Sequence, residues 1–165
     1  MKIPLKVTIE ASLCIALSTA LSYLKLFTMP QGGSVSLAML PIFVFALRRG
    51  GVYGLVAGAV TGLIHLLLGG YVVHPLQALL DYPMAYAALG LSGFFGANKI
   101  AGTAVGAMAN LACAVASGVI FFSSYAPAGT NVWVYSLVYN ASAVIPEAVI
   151  STILVYAVWP RINKI

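Results

Sequence analysis

A chain of 165 residues with 62% hydrophobic and 7% charged side chains, a net charge of +5 and a mean hydropathy of +1.03 lies far below the roughly 25% charged content of soluble domains. Eight Lys/Arg and three Asp/Glu cannot cover a water-facing surface, which excludes a soluble globular domain. A bilayer removes that demand and asks for about 20 apolar residues per spanning helix.

Charges and Gly/Pro clusters cut the chain into six apolar segments, approximately Val7–Phe27, Val35–Leu47, Val52–Leu68, Pro75–Phe95, Ile100–Phe122 and Val132–Val158. The first follows Lys2 and Lys6 and is long for a signal-peptide core, with no small-residue cleavage site after it, so it is read as a span. It carries Ser12, Ala16 and Ala20, each four apart, a strip of small residues that lets a second helix approach closely. Packing within the chain is the expected use, and a partner helix is the alternative. Glu10, one turn from Lys6, is expected to form a surface ion pair. The second and third segments are short for full spans and call for shielding by neighbours or local thinning of the bilayer. The segments are continuously apolar, without strict alternation, which favours helices over a barrel. Cys14 and Cys113 lie in apolar stretches and are read as buried thiols, not a disulfide or metal pair.

Six spans put both termini on one side, together with Lys2, Lys6, Arg48, Arg49, Lys99, Arg161 and Lys164; Lys25 alone falls on the other. This bias predicts cytoplasmic termini. The outer side then holds the longer connections, Thr28–Ser34, Gly69–His74 and Ser123–Asn131, while the inner turns Arg48–Gly51 and Gly96–Lys99 are short. Such an arrangement suits a site that opens outward. The expected fold is an all-α integral membrane protein, one domain over residues 1–165, built as a bundle of six transmembrane helices.

The acids are Glu10, Asp81 and Glu147, and a carboxylate within a membrane is costly enough to be a functional candidate. Asp81 stands about two turns into the fourth span. His74, Gln77 and Asp81 are spaced to share a helix face, with Tyr71 and Tyr82 beside them. An acidic patch flanked by aromatics suits a cation, by charge pairing and cation–π contact; a structural pairing of Asp81, with the tyrosines as interface belt, is the other reading. In the sixth span Tyr135 and Tyr139 are one turn apart, Asn140 needs a partner at depth, and Trp133 is equally a belt residue or a ligand contact. Glu147, after a helix-perturbing Pro146, is read as a structural pairing, and His65 as a hydrogen-bonded packing residue. No Gly-rich loop with Gly-Lys-Ser/Thr is present, nor a metal cluster or nucleophile–base pair, so no ATP site, cofactor, metal or catalytic residue is expected. The positive charge is accounted for by the inner loops and needs no nucleic acid.

Several stretches resemble a known family. These are Met29-Pro30-Gln31-Gly32-Gly33-Ser34-Val35-Ser36-Leu37, Leu40-Pro41-Ile42, Ala46-Leu47-Arg48-Arg49-Gly50, Leu80-Asp81-Tyr82-Pro83, Ser117-Gly118-Val119-Ile120-Phe121-Phe122, Ser124-Tyr125-Ala126-Pro127 and Tyr135-Ser136-Leu137-Val138-Tyr139-Asn140. In order and spacing they are similar to the thiamine-specific substrate-binding (S) components of energy-coupling factor (ECF) transporters, the ThiT/YuaJ family, over nearly the whole chain. The resemblance implies a thiamine pocket near the outer face of a prokaryotic plasma membrane, with the first outer loop as its lid. Carried over by position, the ligand-binding residues are Tyr71, Asp81, Tyr82, Tyr135 and Asn140, with Phe122 where some members stack a Trp and Asp81 where many have Glu. It further implies docking through Ser12, Ala16 and Ala20 on an ECF transmembrane subunit, with two ATPase subunits. Three departures stand out: Ser36 and Ala38 where members have an acid, Ala114 where they have His, and Ala128 where they often have Glu. One lost polar contact costs about 1.5–3 kcal/mol, roughly tenfold to a hundredfold in affinity. That leaves open weaker thiamine binding or a related heteroaromatic vitamin or precursor. A stand-alone secondary transporter is the competing class.

Overall fold

A computed structural model describes residues 3–30 and 33–162; Lys2, Lys164 and the Gln31–Gly32 pair lie outside the described residues. The described residues form six helical rods: α1 (Leu5–Ser22), α2 (Met39–Arg49), α3 (Gly51–Leu67), α4 (75–95), α5 (Lys99–Phe121) and α6 (Val132–Ile162). Among the described residues, α1, α5 and α6 are long and apolar enough to cross a membrane on their own. The others depart from that pattern for identifiable reasons.

The helix α2 is only eleven residues long, and seven of them are buried. Ile42 and Phe43 are fully enclosed and pack with Leu89 and Val155 at the centre of the bundle. A helix sheathed by its neighbours on most sides need not match the bilayer thickness, so the expected shielding is what its short length requires. The opposite holds for α1, which buries only Val7 and Ser18. It shows Leu5, Ile9, Leu13 and Leu17 to the outside, as α6 does with Val138, Val149 and Ile153, an apolar exterior that lipid can solvate.

Boundaries follow local chemistry. Gly50, at φ 97°, breaks the chain between α2 and α3, a conformation open to glycine at little cost. His74 caps α4 by accepting Leu76 N at 3.1 Å, with Pro75 in the first turn. Asn98 does the same for α5 and Asn131 for α6, accepting Ala101 N at 3.0 Å and Trp133 N at 2.9 Å.

The first two predicted spans are both trimmed. α1 ends at Ser22, short of Phe27, and α2 starts at Met39, not Val35. Between them two short strands, β1 (Phe27–Thr28) and β2 (Ser34–Val35), pair antiparallel. Leu26 N donates to Val35 O at 2.9 Å and Met29 N to Gly33 O at 3.0 Å. The apolar ends of both segments are thus consumed by a hairpin.

Glu10 also departs from expectation. Lys6 stays within electrostatic reach, but the carboxylate takes a two-pronged contact from Arg49, with Nε at 2.5 Å, and Arg48 lies 3.9 Å away. The pair joins α1 to the end of α2 because those ends are packed side by side. His65, expected to be hydrogen-bonded, packs edge-on against Tyr86 at 4.6 Å, and its Nε2 is buried with no hydrogen-bond partner.

Candidate functional site

The middle of α4 is where the site begins. Pro83 has no N–H to give to the carbonyl four residues earlier, and the helix widens over Leu80–Met84 into a π-helical turn, a distortion frequent at functional sites. Asp81 and Tyr82 sit on that turn. Against its back runs α3, whose Gly54, Gly58 and Gly62 recur every fourth residue. A Cβ at Gly58 would run into the Tyr86 carbonyl, and one at Gly62 into the Tyr82 carbonyl. The glycines let the two backbones touch, and so set the depth of the turn.

The connection 69–73 is tied to the same turn. The Tyr82 hydroxyl accepts Tyr71 N at 2.7 Å. Gln77, 1% exposed, accepts Val73 N at 3.0 Å and donates to Tyr71 O at 3.1 Å and to Asp81 Oδ2 at 2.5 Å.

In front of the turn lies a cavity of about 750 Å³, within the range of small-molecule sites. Tyr71, Gln77, Asp81 and Tyr82 form one wall; Ala114, Ser117, Gly118 and Phe122 of α5, with Tyr125, form a second; Tyr135, Ser136, Tyr139 and Asn140 of α6 form a third. Pro30 and Gly33 of the hairpin complete the cavity lining. The structure therefore brings Tyr71, Asp81, Tyr82, Phe122, Tyr135 and Asn140 to one cavity. Tyr71 stacks near Phe122 at 6.3 Å, and Tyr135 on Tyr139 at 6.0 Å. Asp81 is the sole carboxylate among the described lining residues, and no Lys, Arg or His is among them. The chemistry on offer is one negative charge set between aromatic faces, with hydroxyls and amides for orientation. Among the described residues no group of His, Cys, Asp and Glu side chains is placed to hold a metal ion.

Some residues fall elsewhere. His74 does not join the Gln77–Asp81 face at the cavity; it caps α4 and stacks on Phe121 at 5.1 Å. Trp133 is 62% exposed and off the cavity, in keeping with a belt residue. Ser36 lies outside the cavity and is bonded to Glu147, while Ala114 is in the wall. The residues that sequence spacing did not single out are Ser117, Tyr125 and Ser136. Ser117 Oγ is buried without a hydrogen bond of good geometry, facing Asp81. Ser136 Oγ donates to Val115 O at 3.0 Å, and Asn140 Nδ2 to Ser136 O at 2.9 Å. A Cβ at Gly118 would strike Ser136 Oγ, so the Ser-Gly pair is the local signal of this α5–α6 approach.

The small-residue strip of α1 does not pack within the chain as expected. Ser12, Ala16 and Ala20 are all exposed and border a shallow groove completed by Val60 and Ile64 of α3. The inward face of α1 is instead Val7, Ala11, Cys14 and Ile15, set against Phe45 and Ala57. Cys14 and Cys113 are free and half-buried.

Comparison with known proteins agrees with this architecture. The family model described as thiamine transporter protein (Thia_YuaJ) matches residues 8–165. The thiamine transporter ThiT of Bacillus subtilis is 40% identical over an alignment of 157 positions, covering 83% of this chain and 82% of the relative. That of Lacticaseibacillus paracasei is 34% identical, covering 92% and 85%. A solved structure of ThiT from Listeria monocytogenes superposes with a TM-score of 0.88 at 26% identity, over 97% of this chain and 96% of that one. The relatives are named as transporters, not enzymes, and come from bacteria. This chain belongs to the thiamine transporter (Thia_YuaJ) family, as a multi-pass protein of the bacterial plasma membrane.

Proposed function

We propose that this chain is the substrate-binding component of an ATP-driven importer and captures thiamine from outside the cell in the cavity between α4, α5 and α6. The observation that carries the reading is the single carboxylate of Asp81 set among Tyr71, Tyr82, Phe122, Tyr135 and Tyr139 in a space of ligand size. Thiamine is a permanent thiazolium cation joined to a flat aminopyrimidine. Charge pairing with Asp81 and stacking on the tyrosines match both halves. Asn140 and Ser117 offer polar contacts for the pyrimidine or the hydroxyethyl arm.

Energy would come from separate subunits, since the sequence has no P-loop. The open strip Ser12–Ala16–Ala20, with its groove beside α3, suits close approach by a helix of an ECF transmembrane subunit, with two ATPase subunits behind it. The excess of Lys and Arg on one set of connections supports cytoplasmic termini and an outward-facing hairpin.

Thiamine binding to the purified protein in detergent, followed by calorimetry, tests the first half. Submicromolar affinity upholds it, and no binding up to millimolar thiamine sinks it. Proteoliposomes test the second half. Uptake by this chain alone would replace the binding-subunit reading with a stand-alone secondary transporter; uptake only with the partner subunits and ATP upholds it.

A further inference from the structure

The elbow 36–39, between β2 and α2, is held from two sides. From α6 the Glu147 carboxylate accepts Ser36 N at 3.2 Å on Oε2, and Ser36 Oγ at 3.1 Å and Met39 N at 3.2 Å on Oε1. From α1, Ser18 Oγ donates to Ala38 O at 2.6 Å. Ser36 Oγ in turn accepts Ala38 N at 3.2 Å. Glu147 is 6% exposed. Each of its three partners is a donor: the main-chain N–H of Ser36 in the elbow, the Ser36 hydroxyl, and the N–H of Met39 at the start of α2, where the helix itself supplies no acceptor. An acceptor-only carboxylate is matched to that set.

Burying a carboxylate in a membrane bundle is costly, and Glu147 is not in the cavity wall. Its position on α6 gives it a use. Asn140 lies two turns before it on the same helix, so one rigid rod carries Tyr135, Tyr139 and Asn140 in the cavity wall and Glu147 at the elbow. The elbow runs directly into β2, where Val35 pairs with Phe27, and the hairpin places Pro30 and Gly33 at the edge of the cavity lining. The same parts also meet where Ser142 Oγ of α6, which donates to Tyr139 O at 2.6 Å, lies 3.8 Å from Met29 Sδ.

We propose that Glu147 is a positioning residue for ligand retention: from the wall helix it pins the root of the hairpin, so that the hairpin stays seated over an occupied cavity. The inference rests on the binding reading above for its ligand, and on the Glu147–Ser36–Met39 contacts alone for the pinning. In Glu147→Gln one acceptor oxygen becomes an NH₂ facing an N–H, so the set can no longer be satisfied whichever way the amide turns. Ser36→Ala removes one donor to Glu147 together with the acceptor of Ala38 N, and leaves the charge and both main-chain contacts to Glu147.

The experiment compares the unmodified protein, Glu147→Gln and Ser36→Ala in detergent, by hydrogen exchange and by stopped-flow thiamine binding. In Glu147→Gln the amides of residues 33–39 are expected to exchange about tenfold faster while those of α5 are unchanged. Thiamine dissociation is expected to be about tenfold faster with association within about threefold. Ser36→Ala is expected to move both readouts the same way by less, and it carries the test if Glu147→Gln does not fold. A structural anchor alone would lower thermal stability and leave the dissociation rate unchanged; that result, or unchanged exchange at 33–39, overturns the proposal. If the unmodified protein binds no thiamine, the binding reading falls. Exchange at 33–39 then still decides the pinning: faster in Glu147→Gln upholds it, unchanged refutes it.

Discussion

Gln77 Nε2 donates to Asp81 Oδ2 at 2.5 Å, one turn apart on α4, from a side chain that is almost wholly enclosed. The same amide holds the main chain of Tyr71 and Val73. One residue therefore aims the carboxylate and secures the connection that brings Tyr71 to the cavity. Replacing it with an apolar residue of similar size, Gln77→Leu, breaks three contacts and leaves their partners unmatched. The expected loss is about 1–3 kcal/mol of stability, seen as a lower unfolding temperature in detergent, together with about tenfold weaker thiamine binding by calorimetry.

Asp81→Asn keeps the shape of the side chain and can still meet Gln77, so the fold should stand. It removes the only negative charge among the described lining residues. A charged contact of this type is worth about 1.5–3 kcal/mol, so thiamine affinity should fall by roughly tenfold to a hundredfold at an unchanged unfolding temperature. An unaltered Kd in calorimetry would take Asp81 out of the site.

The cavity is lined by an acid and by no Lys, Arg or His among the described residues. A phosphate ester carried into it would meet Asp81 as a like charge with no cation to offset it. Thiamine monophosphate is therefore expected to compete at least about tenfold more weakly than thiamine. The gap should narrow in Asp81→Asn, because the repulsion goes with the charge. Equal competition by both compounds in the unmodified protein would contradict this electrostatic account.

Gly62→Ala would push a methyl group into the Tyr82 carbonyl. Overpacking of this sort costs about 1–3 kcal/mol. Because the displaced backbone carries Asp81 and Tyr82, thiamine affinity should drop along with the unfolding temperature. Gly96→Ala is the control: its nearest neighbour would be Leu47 O at 3.7 Å, an ordinary contact, and the change should stay within about 0.5 kcal/mol with binding intact.

Ala16→Leu fills the open strip on α1, which nothing else in the described chain covers. Thiamine binding to the isolated protein should be unchanged. Uptake in proteoliposomes with the partner subunits should fall severalfold or more, because a bulky side chain keeps a second helix from close approach. Full uptake would move the docking surface elsewhere on the protein.

Composition and charge determined the broad outcome. With so few charges the chain had to enter the bilayer, and the Gly/Pro and charge breaks marked six helical rods to within a few residues wherever a cap or a glycine ends the helix. Asp81 was legible because a carboxylate within an apolar helix is costly and conspicuous, with Tyr82 beside it; the widened turn at Pro83 that carries both came only with the structure. Tertiary structure alone decided the rest. The stretches 23–27 and 35–38 read along the sequence as the ends of the neighbouring helices, and only the pairing of Phe27 with Val35 and the Glu147 and Ser18 contacts at the elbow turn them out of those helices. The same limit applies to Glu10, Gln77 and Ser117. Spacing along one helix tells which residues share a face, but the partner on that face comes from another helix, and Arg49 for Glu10 or the main chain of Tyr71 for Gln77 is fixed only when the rods pack. The strip Ser12–Ala16–Ala20 reads identically whether buried or open, and it stayed open because α1 turned Val7, Ala11 and Cys14 inward.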